Sequence, residues 1–347
     1  MQLRLTVPPS VSSGASIGVF SPSSDAAHRL PTRLERGLAS LQHQGYKVKR
    51  GLTLSKSTAG QAGSPRDRAQ DLNEFIHDPE VECIVASIGG TSTHTILPYV
   101  DFEGLTATPK WICGYSDITE LLWSVIFESG LAAIYGPTIL TEFAEYPTPP
   151  IYSSSSFTAS LEGKSQVITP LSTMLGERNP WGTPSDLRPR FPMPAPPPIV
   201  AQEGEVRAEV MGGCIEVLAA RALRGELPPT PGCILLLESA RDAFEEALLV
   251  DIHIVMKSLS RSGPLGGVAV GVKPWRHELI QQVMEAISQH IPPSTPLGIG
   301  LPFGHVTPIA SIPLGIMATF RADAETGLAL RVGTAGTLET NQSVDRD

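Results

Sequence analysis

Three short stretches of this 347-residue chain place chemically useful side chains where the backbone would expose them. The first is Trp111-Ile112-Cys113-Gly114-Tyr115-Ser116-Asp117-Ile118-Thr119-Glu120, an apolar run, a tight turn and the start of a helix. A serine at such a corner is held out of the sheet beside the free N–H groups and positive end of a helix, donors that suit a developing oxyanion. The second is Cys233-Ile234-Leu235-Leu236-Leu237-Glu238-Ser239, which ends a buried strand on a carboxylate. The third is Gly300-Leu301-Pro302-Phe303-Gly304-His305-Val306-Thr307-Pro308, a single histidine in a loop stiffened by glycine and proline. Serine is a weak nucleophile until a base takes its proton, histidine does so near neutral pH, and an acid can hold that histidine in place. Taken singly, each stretch also reads as structure. Ser116 and Asp117 with Glu120 resemble a helix cap, and the G-x-S-x-G elbow is absent because position 118 is Ile. Glu238 reads as a solvated strand end, and His305 as a side chain satisfied by its own loop.

These residues need elements to bring them together. Ser16–Phe20, Tyr46–Val48, Val81–Ile88 and Trp111–Cys113 read as short strands. Leu34, Leu38 and Leu41, then Asp67–Ile76, and then the residues from about Asp117 onward read as helices. Alternating strands and helices predict a mostly parallel sheet covered on both faces. Composition then changes: residues 147–198 hold 12 of the 32 prolines, together with Ser153-Ser154-Ser155-Ser156. Pro192 to Pro198 is unsuited to helix or central strand, so 147–203 reads as a connection between a first domain, 1–146, and a second, 204–347. In the second, Ile234–Leu237, Gly267–Val272 and Leu328–Val332 read as strands, and Glu245–Leu259 and His277–His290 as helices. Residues 341–347 read as a tail without fixed structure.

Composition excludes several classes. A net charge of −9 disfavours polyanion binding, so no nucleic-acid partner is expected. Cys83, Cys113, Cys214 and Cys233 form no C-x-x-C pair, which leaves no visible zinc or redox motif and points to reduced, buried thiols. Met1–Gly14 has no apolar signal region, and the greasiest stretch, Ile118–Tyr135, is broken by Glu120 and Glu128. The expectation is a cytoplasmic protein with no membrane partner.

The order of motifs resembles the LD-carboxypeptidase family of serine peptidases, which includes muropeptide carboxypeptidases and microcin self-immunity peptidases. The likeness runs through Ile17-Gly18-Val19-Phe20-Ser21-Pro22-Ser23-Ser24, Arg66-Asp67-Arg68-Ala69-Gln70-Asp71-Leu72-Asn73, Asp78-Pro79-Glu80-Val81 and Ser87-Ile88-Gly89-Gly90. It continues through Leu97-Pro98-Tyr99, Gly114-Tyr115-Ser116-Asp117, Tyr135-Gly136-Pro137, Gly212-Gly213, Leu236-Leu237-Glu238 and Gly304-His305. The resemblance implies a Ser116–Glu238–His305 triad and an oxyanion hole from backbone N–H groups near Gly90 and Asp117. It also implies an N-terminal, Rossmann- or flavodoxin-like α/β domain, a C-terminal β-rich α+β domain, a site between them and a homodimer. It implies no metal and no cofactor.

The chain departs from that family at Cys214, where an asparagine usually follows the paired glycines. That substitution bears on substrate choice or is a neutral packing change. Trp181, in Asn179-Pro180-Trp181-Gly182, occupies a place like that of a loop tryptophan which in the microcin-immunity branch stacks on the nucleobase of a peptidyl-nucleotide. It equally reads as a loop anchor. Gly89 and His94 lie where they could touch substrate. The leading expectation is hydrolysis of an amide next to a carboxylate in a small peptide-like or peptidyl-nucleotide molecule. The alternatives are a triad turned to acyl transfer or cyclisation, and a binding protein that has lost chemistry.

Overall fold

The computed structural model describes residues 5–241 and 245–333, so the expected tail at 341–347 lies outside the described residues. Five parallel strands build the first sheet: β1 (Ser16–Phe20), β2 (Lys47–Arg50), β3 (Val81–Ala86), β4 (Trp111–Gly114) and β5 (Ala133–Tyr135). Every residue of β1 and β4 is buried, as expected for strands covered on both faces. The helices between them form for local reasons. Ser64 caps the helix Pro65–His77 in a reciprocal box with Asp67, and Pro65 occupies the first turn. Leu34, Leu38 and Leu41 line the buried side of the helix Pro31–His43.

The segment 147–203 holds more structure than a connection. Its strands are β6 (Gln166–Ile168), β7 (Thr173–Leu175), β8 (Pro192–Pro194) and β9 (Ile199–Gln202). The serine-rich run lies in a helix, Ile151–Leu161. Ser153 and Ser156 accept hydrogen bonds from the backbone of Ile309 and Ser311 at 2.8 and 2.9 Å, so the serines tie this helix to a distant segment. The prolines of β8 sit in a two-stranded hairpin with β7, where missing N–H groups are tolerated.

The second sheet has eight strands: β6, β9, β10 (Gly204–Cys214), β11 (Ile234–Glu238), β12 (Gly267–Gly271), β13 (Leu297–Leu301), β15 (Met317–Asp323) and β16 (Gly327–Val332). Its middle, β10 to β13, is parallel, and the helices Ile215–Leu223, Glu245–Leu259 and His277–Ser288 follow three of those strands. The segments 147–203 and 204–347 therefore do not divide cleanly. β6 and β9 join the second sheet, while β14 (Ile312–Leu314) crosses back to pair antiparallel with β5 of the first.

Docking between the two sheets is both apolar and ionic. The buried apolar residues of both form one continuous cluster. Trp123 Nε1 donates to Gly212 O at 2.9 Å, and Cys214 N donates to Thr119 Oγ1 at 3.1 Å. Glu120, 3% exposed in its side chain, pairs with Arg221 at 2.8 Å and Arg224 at 2.7 Å. Among the described residues, no helix is long and apolar enough to cross a membrane.

Candidate active site

Ser116 closes β4 in a sharp turn into a 3-10 segment, Ser116–Ile118, followed by the helix Thr119–Ser124. Its φ is +64°, a left-handed conformation that costs a non-glycine residue about 1–2 kcal/mol. Such a cost persists only where surrounding contacts enforce it. Here Ser116 N donates to the hydroxyl of Tyr135, at the end of the neighbouring strand, at 3.3 Å.

The Ser116 hydroxyl lies 3.0 Å from Nε2 of His305, and His305 Nδ1 lies 2.7 Å from Glu238 Oε2. Because a carboxylate faces Nδ1, the hydrogen-bond network assigns the ring proton there and leaves Nε2 to accept from the serine. Glu238 ends β11 and is 3% exposed. Its Oε2 also accepts from His305 N at 3.1 Å, and its Oε1 accepts from the Tyr135 hydroxyl. Burial by itself raises the pKa of this carboxyl, but the facing imidazole and the bonds from His305 and Tyr135 outweigh it and hold the pKa below the usual value. Glycine at position 304 is required: φ is +85°, and a Cβ there would stand 2.3 Å from Glu238 Cγ.

The helix-cap reading of Asp117 needs correction. Its carboxylate does not cap its own helix. Oδ2 accepts from Ser92 N and Thr93 N at 3.0 Å each and from Thr93 Oγ1 at 2.8 Å, so it caps the 3-10 helix Thr93–Tyr99. Ser23 Oγ accepts from Thr91 N at 3.1 Å, and Arg68 Nη1 donates to Ser92 Oγ at 3.0 Å. The Gly89-Gly90 loop is thus tied to the segments carrying Ser23, Arg68 and Asp117. A Cβ at Gly90 would lie 2.3 Å from Ser23 Oγ, which explains why only glycine fits.

Gly89 and Gly90 line a cavity of about 260 Å³ together with Ser116, Thr138, Arg178 and His305. Arg178 comes from the proline-rich segment and donates to the Tyr115 hydroxyl at 3.1 Å. Tyr115 presents its ring at 74° to His305, 5.1 Å between centroids. A serine hydroxyl and an imidazole hydrogen-bonded to a buried carboxylate therefore meet at one concave space walled by the paired glycines, an arrangement able to attack a carbonyl.

Other expected residues lie elsewhere. Cys214 is buried, with Sγ 2.9 Å from Glu216 Oε2. Cys214, Glu238 and His305 do bring potential metal-ligand atoms within 4.8 Å of one another, yet Glu238 Oε2 and His305 Nδ1 are already committed to each other. Trp181 packs against the core with the Arg33 guanidinium 4.2 Å over its ring, and it lines neither the 260 Å³ cavity nor a larger one beside His305. His94 is exposed and also lines neither. Tyr135, which bridges Ser116 and Glu238, carried no role in the sequence beyond its place in a motif. The available signal was its position at the end of a strand adjacent to β4, since the C-terminal ends of neighbouring parallel strands converge on one crevice.

Comparison with known proteins agrees with this architecture. Residues 17–136 match the LD-carboxypeptidase N-terminal domain and residues 207–320 the LD-carboxypeptidase C-terminal domain. A Vibrio cholerae chain with a provisional carboxypeptidase name is 30% identical over 91% of this chain and 95% of its own length. The microcin C7 self-immunity protein MccF of Escherichia coli is 28% identical over 87% of this chain and 89% of its own. The solved structure of MccF in complex with aspartyl sulfamoyl adenosine superposes with a TM-score of 0.82 at 26% identity, covering 94% of this chain and 98% of that one. This chain belongs to the LD-carboxypeptidase family of serine peptidases and is a hydrolase of peptide bonds.

Proposed function

We propose that Ser116, His305 and Glu238 act as a catalytic triad that cleaves an amide bond beside an acidic group in a small peptide-like or peptidyl-nucleotide molecule. The observation that carries this reading is the unbroken hydrogen-bonded series from the Ser116 hydroxyl through His305 to the buried Glu238. Ser116 Oγ attacks the carbonyl while His305 Nε2 takes its proton, and the Glu238 carboxylate stabilises the imidazolium that forms. Backbone N–H groups of Gly90 and Asp117 receive the oxyanion, with Gly89 shaping the wall beside them. His305 then protonates the leaving nitrogen, and water releases the acyl group by the same steps in reverse order. No step calls on a metal or cofactor.

The cavity dimensions support a compact substrate, since 260 Å³ beside Ser116 accommodates an amino-acid residue and not a folded chain. The MccF structure, with its aminoacyl-nucleoside ligand, supports the same class. By the family resemblance the protein works as a cytoplasmic homodimer, which sedimentation equilibrium tests for the assembly. The function is tested by offering an LD-linked peptide ending in D-alanine and an aspartyl sulfamoyl nucleoside in ¹⁸O-labelled water. Hydrolysis puts one ¹⁸O into the new carboxylate. A product joined to a second amine, with no label, would instead assign the triad to acyl transfer.

A further inference from the structure

We infer that Arg68 is a positioning residue for the oxyanion hole: with Asp117 it fixes the turn that follows Gly89-Gly90, and so sets where the Gly90 N–H stands relative to the Asp117 N–H. This rests on the proposed function, because it assigns what holds that hole in place. The two donors lie on different elements, the loop after β3 and the turn after β4. Oxyanion stabilisation depends on donors fixed before the reaction, and paired glycines are the residues least able to fix themselves. Their geometry must therefore be imposed from the ends of the loop. At the first end, Ser87 N donates to Phe20 O at 2.8 Å, and Ser87 Oγ lies 2.7 Å from Ser21 Oγ. The second end is Ser92, whose N, O and Oγ are all hydrogen-bonded.

An anion and a cation hold that second end. Asp117 Oδ2 accepts from Ser92 N and, one residue on, from Thr93 N and Thr93 Oγ1. One residue thus carries a donor of the hole and anchors the loop that carries the other. Arg68 Nη1 donates to Ser92 O at 3.3 Å and to Ser92 Oγ at 3.0 Å, and its Nη2 donates to Thr95 Oγ1 at 3.0 Å. The same Nη1 reaches Pro22 O at 2.5 Å, beside Ser23, whose Oγ accepts from Thr91 N and Ser92 N at 3.1 and 3.0 Å. Arg68 is 2% exposed and lines neither cavity beside His305. Its hydrogen bonds among the described residues go to carbonyl and hydroxyl oxygens, and its Nε has no partner there. Asp117, across the turn, is the charge that offsets its burial. A buried cation placed on neutral acceptors costs stability that an apolar side chain would not. What it gives in return is a set of donors converging on the one loop whose shape the reaction depends on.

The test is the rate of fluorophosphonate labelling of Ser116, followed as a function of pH with a thermal melt of each protein. The variants are Arg68→Met, Arg68→Lys, Ser92→Ala and Lys110→Met. Lys110 is the control, a 5% exposed cation that donates to Phe75 O at 2.8 Å and to Asp78 O, at the C-terminal end of the helix that carries Arg68. Arg68→Met should lower the labelling rate about tenfold to a hundredfold, the scale of a small misplacement of reacting groups. Arg68→Lys keeps the charge and should recover part of that loss. Ser92→Ala removes the Oγ to which Arg68 donates and should slow labelling about threefold or more. In all three the pH of half-maximal labelling should stay at its wild-type value, because His305 and Glu238 are untouched and only the plateau falls. Lys110→Met should lower the melting temperature and leave the labelling rate within about twofold of wild type. Wild-type rates in Arg68→Met and Ser92→Ala, a displaced pH midpoint, or an equal loss in Lys110→Met would each overturn the inference; if Arg68→Met does not fold, Ser92→Ala decides alone. Labelling that ignores Arg68 removes the inference and leaves the proposed function, whereas a wild-type protein that takes no probe at Ser116 removes both.

Discussion

Tyr135→Phe removes a single oxygen atom from the centre of the site and keeps the volume of the ring. That hydroxyl donates to Glu238 Oε1 and accepts from Ser116 N, so its loss strips a partner from a buried carboxylate and from the strained nucleophile turn together. A hydrogen bond to a charged group contributes about 1.5–3 kcal/mol, and its loss moves the Glu238 pKa upward because that bond favours the ionised form. The facing imidazole and the bonds from His305 still hold the carboxyl below its usual range, so it still supports the imidazolium, but from a less fixed position. The rate of fluorophosphonate labelling should fall about tenfold to a hundredfold, the same energy expressed as a rate. Labelling reports the nucleophile without requiring knowledge of the substrate. A labelling rate within twofold of wild type, in a variant of unchanged melting temperature, would refute the idea that Tyr135 positions the acid and the serine.

Other substitutions separate structure from chemistry. Ser116→Ala should abolish turnover and labelling while the fold persists in circular dichroism; Ser116→Gly should do the same and melt higher, because glycine tolerates φ of +64° at little cost. Glu238→Gln should slow turnover by orders of magnitude. It also carries a pH signature: a carboxylate with a depressed folded pKa contributes stability above its unfolded value of about 4.5, lost as pH falls through the folded value, so the melting gap to wild type should narrow below pH 4.5. Glu120→Ala leaves Arg221 buried and unpaired between the two sheets, with an expected cost of about 3–5 kcal/mol in denaturant titrations.

The extent to which the sequence revealed this site follows from the range of the interactions. Strands such as Ser16–Phe20 and Ile234–Glu238 announce themselves through local apolar runs, and the residues that end or follow them are natural candidates for chemistry. The pairing of Ser116 with His305 spans 189 positions and has no local signature. Family motifs supplied that pairing in advance. The same distance hid Asp117, whose neighbours suggested a cap for its own helix while its carboxylate reaches back to Ser92 and Thr93. Glu120 looked like the far end of that cap and is instead the buried partner of Arg221, 101 positions away. The serines of Ile151–Leu161 read as linker because their backbone partners, Ile309 and Ser311, lie on a segment that returns to the first sheet only at its end.

The most direct measurement is the site of covalent labelling. Wild-type protein treated with a fluorophosphonate should gain one probe mass, located by peptide mapping at Ser116, and His305→Ala should lose nearly all of that labelling while keeping its fold. Stoichiometric labelling at another residue, or undiminished labelling of Ser116 in His305→Ala, would contradict a serine activated by His305 and Glu238.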